Sequence, residues 1–258
     1  MSKDRSAFSY WEKRGETYSA LDDVKSKRTP YKIVNFIKPL GLDKSSWILD
    51  AGCGKGTITK IIKDNWRHSN VVGIDLSQRM IDGAMNKETN GLRFSCIDYF
   101  DFISELKSFF NLITMSLFIH HLTDGADVEA LERAYEALRP NGRIVIAEAI
   151  PPEDDIFDHY QQIFKLKEDR NCYSLPDLLR RLRGAGFVDL RFQTYPFDIR
   201  PLSWLDDNTL SKERKSLLYD LHVSASPAFK KAYNMMPLQN GDYRLRCKMA
   251  LISGIKKS

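Results

Sequence analysis

The part of the sequence with the clearest chemical potential is a glycine-rich segment, Asp50-Ala51-Gly52-Cys53-Gly54-Lys55-Gly56. An apolar run, Trp47 to Leu49, comes directly before it, and a helical pattern, Thr57 to Asn65, follows it. Glycines let the backbone turn tightly and approach a ligand with no side chain in between. The helix N-terminus then offers unpaired N–H groups to a carboxylate or another anion. The segment therefore predicts a strand–turn–helix that binds a nucleotide-type ligand, with Asp50 placed to receive a cationic amine.

Two further acids follow later apolar runs. Asp75 ends the second run, about 20 residues after the last glycine, where an acid is placed to accept hydrogen bonds from both hydroxyls of an adenosine ribose. Leu76 and Met80 come next, where apolar side chains would flank the adenine. Asp98 follows the third run and would accept from the exocyclic amine of the adenine. The alternative role for these acids is helix capping, which is common for Asp and competes most strongly for Asp98.

The elements that must position these residues form an alternating pattern of short apolar runs and amphipathic stretches between Trp47 and Tyr195. Each run is short enough for a strand buried on both faces, and the alternation predicts a doubly wound α/β sheet. Ser174 with Asp177 gives an N-cap signal for the helix before the sixth run. A last apolar stretch, Tyr243 to Ile255, predicts a closing strand. The six runs are 47–49, 71–74, 92–94, 111–115, 143–147 and 187–190.

The segment 48–56, followed by Val72-Gly73-Ile74-Asp75-Leu76-Ser77, resembles the first two motifs of class I S-adenosylmethionine-dependent methyltransferases. Its tighter Gly-x-Gly-x-Gly spacing, preceded by Asp50, differs from a dinucleotide-binding fingerprint. The resemblance continues through Asp98 and the segments 116–122 and 138–143, so it covers residues 8–195. Within that family, the chain is most similar to the small-molecule branch that includes the ubiquinone and menaquinone C-methyltransferases.

The resemblance implies a Rossmann-like α/β fold. Its sheet would have seven strands, mostly parallel with an antiparallel last strand, with helices on both faces and a helical insertion between strands 6 and 7. It also implies S-adenosylmethionine as the cofactor and S-adenosylhomocysteine as the product. The implied cofactor-binding residues are Asp50, Gly52, Gly54 and Gly56 at the methionine moiety, Asp75 at the ribose, Leu76, Met80, Asp98 and Tyr99 at the adenine, Ser116 and Leu117 on the reactive side, and Tyr10, Arg14 and Tyr18 on an N-terminal helix that folds over the cofactor.

Methyl transfer from a sulfonium mainly requires alignment of the acceptor and exclusion of water, and a general base is needed only if the nucleophile carries a proton of high pKa. The candidates for direct catalytic roles are His120, His121, Glu148 and His159. The first three follow the fourth and fifth strands, at the carboxyl edge where ligands bind in such sheets. The alternative for the histidine pair is loop packing. No metal site is expected, because the stretch with Asp154 and Asp155 is interpreted as a solvated loop.

The chain divides into four predicted parts: an N-terminal helical lid at 1–46, a cofactor-binding core at 47–195, a helical insertion at 196–241 and a closing strand at 242–258. The insertion contains predicted helices at 211–223 and 227–233. Because the sixth strand finishes at the carboxyl edge, we expect the insertion to cover the acceptor site as a lid or a pocket wall. Packing at the sheet edge or a dimer contact is the alternative. The aromatic side chains of the insertion are Trp204, Tyr219, His222, Phe229 and Tyr233.

Composition narrows the choice of partner. The net charge of +5 is mild and the basic residues are spread along the chain, which disfavours a nucleic-acid partner. No apolar window approaches the length of a membrane span, and the charged start lacks a signal-peptide pattern, so a cytoplasmic location and reduced cysteines are expected. These features favour a small-molecule acceptor with C, O or N as the methylated atom. An RNA or protein methyltransferase and a cofactor-binding relative without methyl transfer stay open, as does the choice between monomer and homodimer.

Overall fold

The computed structural model describes residue 13 and residues 29–43, 45–206 and 208–258. The strands are β1 Trp47–Ala51, β2 Asn70–Asp75, β3 Leu92–Cys96, β4 Phe110–Ser116, β5 Leu138–Ile150, β6 Val188–Ile199, β7 Met236–Pro237 and β8 Tyr243–Ile255. The α-helices of the described ranges are α1 Thr29–Ile37, α2 Thr57–Asn65, α3 Gln78–Met85, α4 Tyr99–Ile103, α5 Ala126–Ala137, α6 Phe157–Lys167, α7 Leu175–Gly184, α8 Pro201–Trp204, α9 Lys212–Val223 and α10 Pro227–Ala232. Short 3-10 turns cover Lys38–Leu40, Ile119–His121 and Asp154–Ile156.

The strands form one sheet with the order β3-β2-β1-β4-β5-β8-β6, and β7 pairs with β8 beyond this path. β1 is parallel to β2 and β4, β2 to β3, and β4 to β5. β8 is antiparallel to both β5 and β6. The carboxyl ends of β1 to β6 therefore lie at one edge of the sheet. The predicted Rossmann-like methyltransferase fold is confirmed, with the two-residue strand β7 as an addition that the prediction lacked.

The central strands supply two apolar cores because their successive side chains point to opposite faces. On one face, Ile48 of β1 lies in a cluster with Ile37 of α1 and Ile62 of α2. On the other, Leu49 lies in a cluster with residues of α5 and α7, including Leu131. Both faces of the sheet are thus covered by helices, which explains why the strands appear in the sequence as continuous apolar runs.

A third apolar cluster lies beyond the carboxyl edge, where β5 and β6 end. It joins α6, through Tyr160 and Ile163, to Trp204 of α8, Leu218 of α9 and Phe229 of α10. We call α8, α9 and α10 the cap. The two predicted insertion helices are confirmed as α9 and α10, whereas β6 continues as far as 199, beyond the predicted start of the insertion at 196. None of the described helices combines the length and apolar character needed to cross a bilayer.

Candidate functional site

The turn after β1 holds its glycines in the left-handed region, with φ of 67° at Gly52, 52° at Gly54 and 74° at Gly56. A Cβ on Gly52 would lie 2.5 Å from Cδ2 of Phe118, and one on Gly56 would lie 2.6 Å from the ring of Phe94. A Cβ on Gly54 would meet nothing within 4 Å. Packing therefore requires glycine at the first and third positions, while the second borders open space that a ligand can enter.

The carboxylate of Asp75, at the end of β2, faces this turn. The amide of Gly54 donates to Oδ2 at 2.8 Å, and the amide of Ser77 donates to Oδ1 at 3.0 Å. Helix α2 begins directly after Gly56, its N-cap residue, which provides no side-chain cap. A helix N-terminus of this kind is a place where an anion can bind. These residues fit S-adenosylmethionine: the helix N-terminus suits its carboxylate, Gly54 allows close approach, and the Asp75 carboxylate is the kind of acceptor that ribose hydroxyls require.

Asp50 lies beneath the turn and is only 1% exposed. Thr59 of α2 donates to its Oδ2 at 2.6 Å, and Thr114 of β4 donates to its Oδ1 at 2.8 Å. Burial raises the pKa of Asp50 to about 6. In this arrangement the carboxylate connects β1, α2 and β4 instead of facing the open side of the turn. A direct contact with the cofactor amine stays a prediction.

The predicted adenine-binding residues are half-buried or buried in the structure. Oδ1 of Asp98 accepts from the amides of Phe100 and Asp101 at 2.7 and 3.3 Å, so Asp98 caps α4, the alternative role foreseen for it. Its Oδ2 makes no hydrogen bond within the described ranges. Tyr99 is buried and donates its hydroxyl to the carbonyl of Ala130 at 2.8 Å. Met80 is also buried, at 2% exposure, whereas Leu76 is half-buried. Tyr10, Arg14 and Tyr18 lie outside the described residues.

Two of the catalytic candidates form a buried pair at the carboxyl ends of β4 and β5. Nδ1 of His120 lies 2.6 Å from Oε2 of Glu148, and the amide of Phe118 donates to Oε1 of Glu148 at 3.1 Å. Burial raises the pKa of Glu148 to about 7. The ring of His121 lies 3.8 Å from that of His120. Burial and this neighbour lower the pKa of His121 well below its usual range, so it is neutral at physiological pH.

A cavity of about 110 Å³ adjoins this pair. At roughly 10–15 Å³ per water, it has room for about eight waters or a small organic molecule. Its walls come from the end of β4, from α6, from the ends of β5, β6 and β8, and from the cap. The lining residues are Leu117, His120, His121, Ala149, Ile150, Tyr160, Ile163, Phe164, Lys167, Glu168, Arg170, Phe197, Ile199, Trp204, His222, Tyr233, Leu245 and Cys247.

The structure thus brings His120, His121 and Glu148 together with Leu117, which stands next to Ser116 at the end of β4. His159 lies apart from them. Its ring centroid is 4.3 Å from that of Phe229 in α10, and it does not line the cavity. Within the described ranges there is no group of three or more His, Cys, Asp or Glu side chains that could hold a metal ion.

Three charged residues at the end of α6 were missed by the sequence reasoning. The side chains of Lys167, Glu168 and Arg170 are only 3%, 9% and 6% exposed and line the cavity. In the sequence they belong to a charged run of the kind expected on a solvated surface. One signal was available: Lys167 continues the i, i+3, i+7 spacing of the buried residues Tyr160 and Ile163 on one face of α6.

Two alanine variants in the glycine turn test which glycine is required for packing and which is required for ligand binding. We expect Gly52→Ala to lower the free energy of unfolding by about 2–4 kcal/mol, because left-handed strain adds to the collision with Phe118. Gly54→Ala should cost only the strain, about 1–2 kcal/mol, yet should weaken S-adenosylhomocysteine binding at least tenfold because the methyl group enters ligand space. Chemical denaturation and calorimetric titration measure the two effects. Equal stability losses, or unchanged affinity in Gly54→Ala, would contradict this division of roles.

Comparisons with known proteins agree with this geometry. A family described as a methyltransferase domain matches residues 25–191. The chain is 29% identical over 92 residues to malonyl-[acyl-carrier protein] O-methyltransferase of Acetivibrio thermocellus, a match that covers 34% of this chain and 31% of that protein. It is 27% identical over 169 residues to carboxy-S-adenosyl-L-methionine synthase of Helicobacter pylori, covering 57% of this chain and 70% of that protein.

Among solved structures, a Bacillus halodurans protein assigned to the methyltransferases superposes with a TM-score of 0.77 at 18% identity. The match covers 90% of this chain and 100% of that one, and it shows the shared fold. The family match extends over more than half of the chain, through the glycine turn, Asp75 and the His120–Glu148 pair. The chain therefore belongs to the methyltransferase-domain family.

Proposed function

We propose that this protein transfers a methyl group from S-adenosylmethionine to a small molecule that binds in the cavity beside His120. The observation that carries the proposal is the position of this cavity between the sheet and the cap. One side is formed at the carboxyl edge of the sheet, and the other is lined by Trp204 and His222 of the cap and by Tyr233, directly after α10. With about 110 Å³ inside, it suits a small acceptor and not a folded polymer.

The acceptor would be deprotonated by His120. When Nδ1–H of His120 donates to Glu148, the proton-free ring nitrogen is Nε2, so the carboxylate fixes the tautomer that can accept a proton. His121 stays neutral and adds no competing charge. The cofactor supplies a methyl group on a sulfonium whose leaving thioether requires no acid. The protein contributes alignment, a base and a water-excluding wall.

The lid role proposed for 1–46 is supported by one contact. Lys13, the single described residue among the first 28, accepts a hydrogen bond at its carbonyl from Nδ2 of Asn208 at 2.8 Å. Asn208 lies between α8 and α9, so Lys13 contacts the connection between these two helices. The two segments would together cover the site.

The proposal is tested by incubating the purified protein with methyl-labelled S-adenosylmethionine and a pool of cellular metabolites. We expect a labelled small product in step with S-adenosylhomocysteine, and retained activity at high salt. Label in RNA or protein, with activity that falls steeply as salt is added, would instead support a macromolecular acceptor.

A second candidate, cofactor chemistry without methyl transfer, is favoured by the similarity to carboxy-S-adenosyl-L-methionine synthase over 57% of the chain. It is distinguished by the same experiment, because mass spectrometry would find a modified cofactor and no S-adenosylhomocysteine. That result would replace the methyltransfer proposal.

Trp204 tests whether the cap forms the acceptor pocket. It is 6% exposed, and its ring packs edge-on to Phe164 at 5.4 Å. We expect Trp204→Leu to raise the KM for the acceptor about tenfold through lost aromatic contact, with affinity for S-adenosylhomocysteine changed less than twofold. Steady-state kinetics below the unfolding temperature measure this. Leu217→Ala, at a 49% exposed position of α9, is the matched control and should leave both constants unchanged. An unchanged KM in Trp204→Leu would point to a purely structural cap.

A further inference from the structure

We infer that the acceptor carries a carboxylate, which the buried guanidinium of Arg170 binds inside the cavity. The acceptor class is a small monocarboxylic acid with an apolar or aromatic body. The inference rests on the proposed function, since it names the substrate class of the same site.

The first support is an unsatisfied donor. Nε of Arg170 donates to the carbonyl of Asn171 at 3.2 Å, and Nη1 donates to Oε1 of Glu168 at 3.2 Å. Nη2 is buried and makes no hydrogen bond within the part of the chain that the structure describes. An unpaired buried donor is unfavourable, and it is most so on a charged group. Since Arg170 lines the cavity, an oxygen of a bound ligand would satisfy this atom, and the planar guanidinium suits a carboxylate.

The second support is the charge inside the cavity. Lys167 and Arg170 are positive. Although burial opposes ionisation of Glu168, these two neighbours hold its pKa well below the usual range, so it is negative. Lys167, Glu168 and Arg170 together therefore carry one excess positive charge, which a monoanion neutralises. A phosphate dianion would exceed this charge and would face Glu168.

The third support is the remaining surface of the cavity. Phe164 stacks under the guanidinium, with the Arg170 guanidinium carbon 4.1 Å from its ring centroid. The ammonium of Lys167 lies 5.0 Å from the ring centroid of Trp204. Beyond these cations the walls are largely aromatic and aliphatic, including Ile163 and Tyr233. Such walls would bury the apolar body of a ligand whose charged end lies at the cations. A free inorganic anion has no apolar body to place against these walls.

The fourth support is the fixed position of Arg170 relative to His120. The amide of Asn171 donates to the carbonyl of His120 at 2.8 Å, and Nδ2 of Asn171 donates to the carbonyl of Leu122 at 2.8 Å. The hydroxyl of Tyr173 donates to the carbonyl of Ile119 at 3.2 Å. The loop that carries Arg170 is thus tied to the histidine turn, so binding of the carboxylate would place the acceptor body at a defined distance from the base.

The test uses the full-length protein saturated with S-adenosylhomocysteine and defined probes. Benzoate and hexanoate are titrated calorimetrically against benzamide and hexanamide, with phenyl phosphate and inorganic phosphate as separate arms. We expect each carboxylate to bind at least tenfold more tightly than its amide and than either phosphate. Equal binding of the amides, tighter binding of a phosphate, or no carboxylate binding at millimolar concentrations overturns the inference.

Variants assign the effect to Arg170. Arg170→Gln should weaken benzoate binding at least tenfold and leave affinity for S-adenosylhomocysteine within twofold, and Arg170→Lys should recover only part of the loss. If Arg170→Gln unfolds because Glu168 loses its ion pair with Arg170, the double variant Arg170→Gln, Glu168→Gln removes that charge and should show the same loss. Arg191→Gln, at a 58% exposed side chain of β6, is the control. Carboxylate affinity that survives in the folded Arg170 variants overturns the inference.

The two proposals fail in different ways. Methylation of a neutral or cationic acceptor in the metabolite assay would sustain the proposed function and overturn the carboxylate inference. Carboxylate binding through Arg170, with a modified cofactor and no methylated product, would sustain the inference about the ligand and overturn methyl transfer.

Discussion

Glu148→Gln is expected to lower kcat by about 10²–10⁴-fold while leaving the fold and the affinity for S-adenosylhomocysteine intact. The glutamine is close in shape, and its oxygen can still accept the hydrogen bond from the amide of Phe118. Its amide nitrogen, however, would face Nδ1 of His120 and donate to it. The ring proton would then move to Nε2, the nitrogen that must accept a proton from the acceptor. The variant therefore separates tautomer control from folding.

The pH profile distinguishes this positioning role from a structural one. In the wild type, kcat/KM should rise between about pH 6 and 8 as the His120–Glu148 pair loses its shared proton, since the pair titrates as a unit. In Glu148→Gln that rise should be absent or displaced. His121→Gln is the matched control, because the neutral His121 adds no step to the profile. A Glu148→Gln enzyme with kcat within threefold of wild type and an unchanged profile would remove His120 as the base.

Stability should change with pH in the opposite direction to activity. Burial raises the pKa of Glu148 from 4.5 to about 7, so the folded state holds this proton more tightly than the unfolded state in that window. The free energy of unfolding therefore falls as pH rises from about 4.5 to 7, by at most about 3 kcal/mol. Glu148→Gln should lose this slope. Chemical denaturation at pH 5 and pH 8 measures it in both proteins.

The parts of the site that depend on local pattern followed from the sequence. The glycine turn, its flanking strand and helix α2 occupy consecutive residues, so spacing and residue type are enough to predict them. Ser174 and Asp177 likewise form the capping box of α7, because both partners lie within one helical turn. The closing strand β8 was predicted with the bounds that the structure shows, Tyr243–Ile255.

The direction in which a side chain points was harder to predict from the sequence, because it depends on partners that are distant along the chain. Asp50 turns inward because its carboxylate accepts a hydrogen bond from the hydroxyl of Thr114, on a neighbouring strand. His159 and Tyr160 are adjacent in sequence, but neighbours on a helix point about 100° apart. Tyr160 consequently faces the cavity and His159 faces α10. Arg170 is surrounded by charged residues in the sequence. That local pattern does not show that other elements of the fold bury its side chain.

Asp75→Ala is expected to weaken S-adenosylmethionine binding at least 100-fold. The carboxylate accepts from the amides of Gly54 and Ser77, so its loss would loosen the turn that Gly54 contributes to the cofactor site. It would also remove the acceptor proposed for the ribose hydroxyls. Hydrogen bonds to a charged group contribute about 1.5–3 kcal/mol each, and two such bonds to a ligand account for a loss of this size. Calorimetric titration of S-adenosylhomocysteine measures the affinity.

Two further variants separate the support of the turn from direct binding. Asp75→Asn retains one acceptor oxygen, and with the amide oriented toward Ser77 it should preserve the start of α3 but lose the charge that strengthens ribose binding, giving an intermediate affinity. Asp98→Ala removes the cap of α4 and one candidate adenine acceptor, so its loss should stay within about tenfold. If Asp75→Ala binds the cofactor as the wild type does while Asp98→Ala does not, the ribose assignment is wrong and recognition of the nucleoside resides at the end of β3 instead.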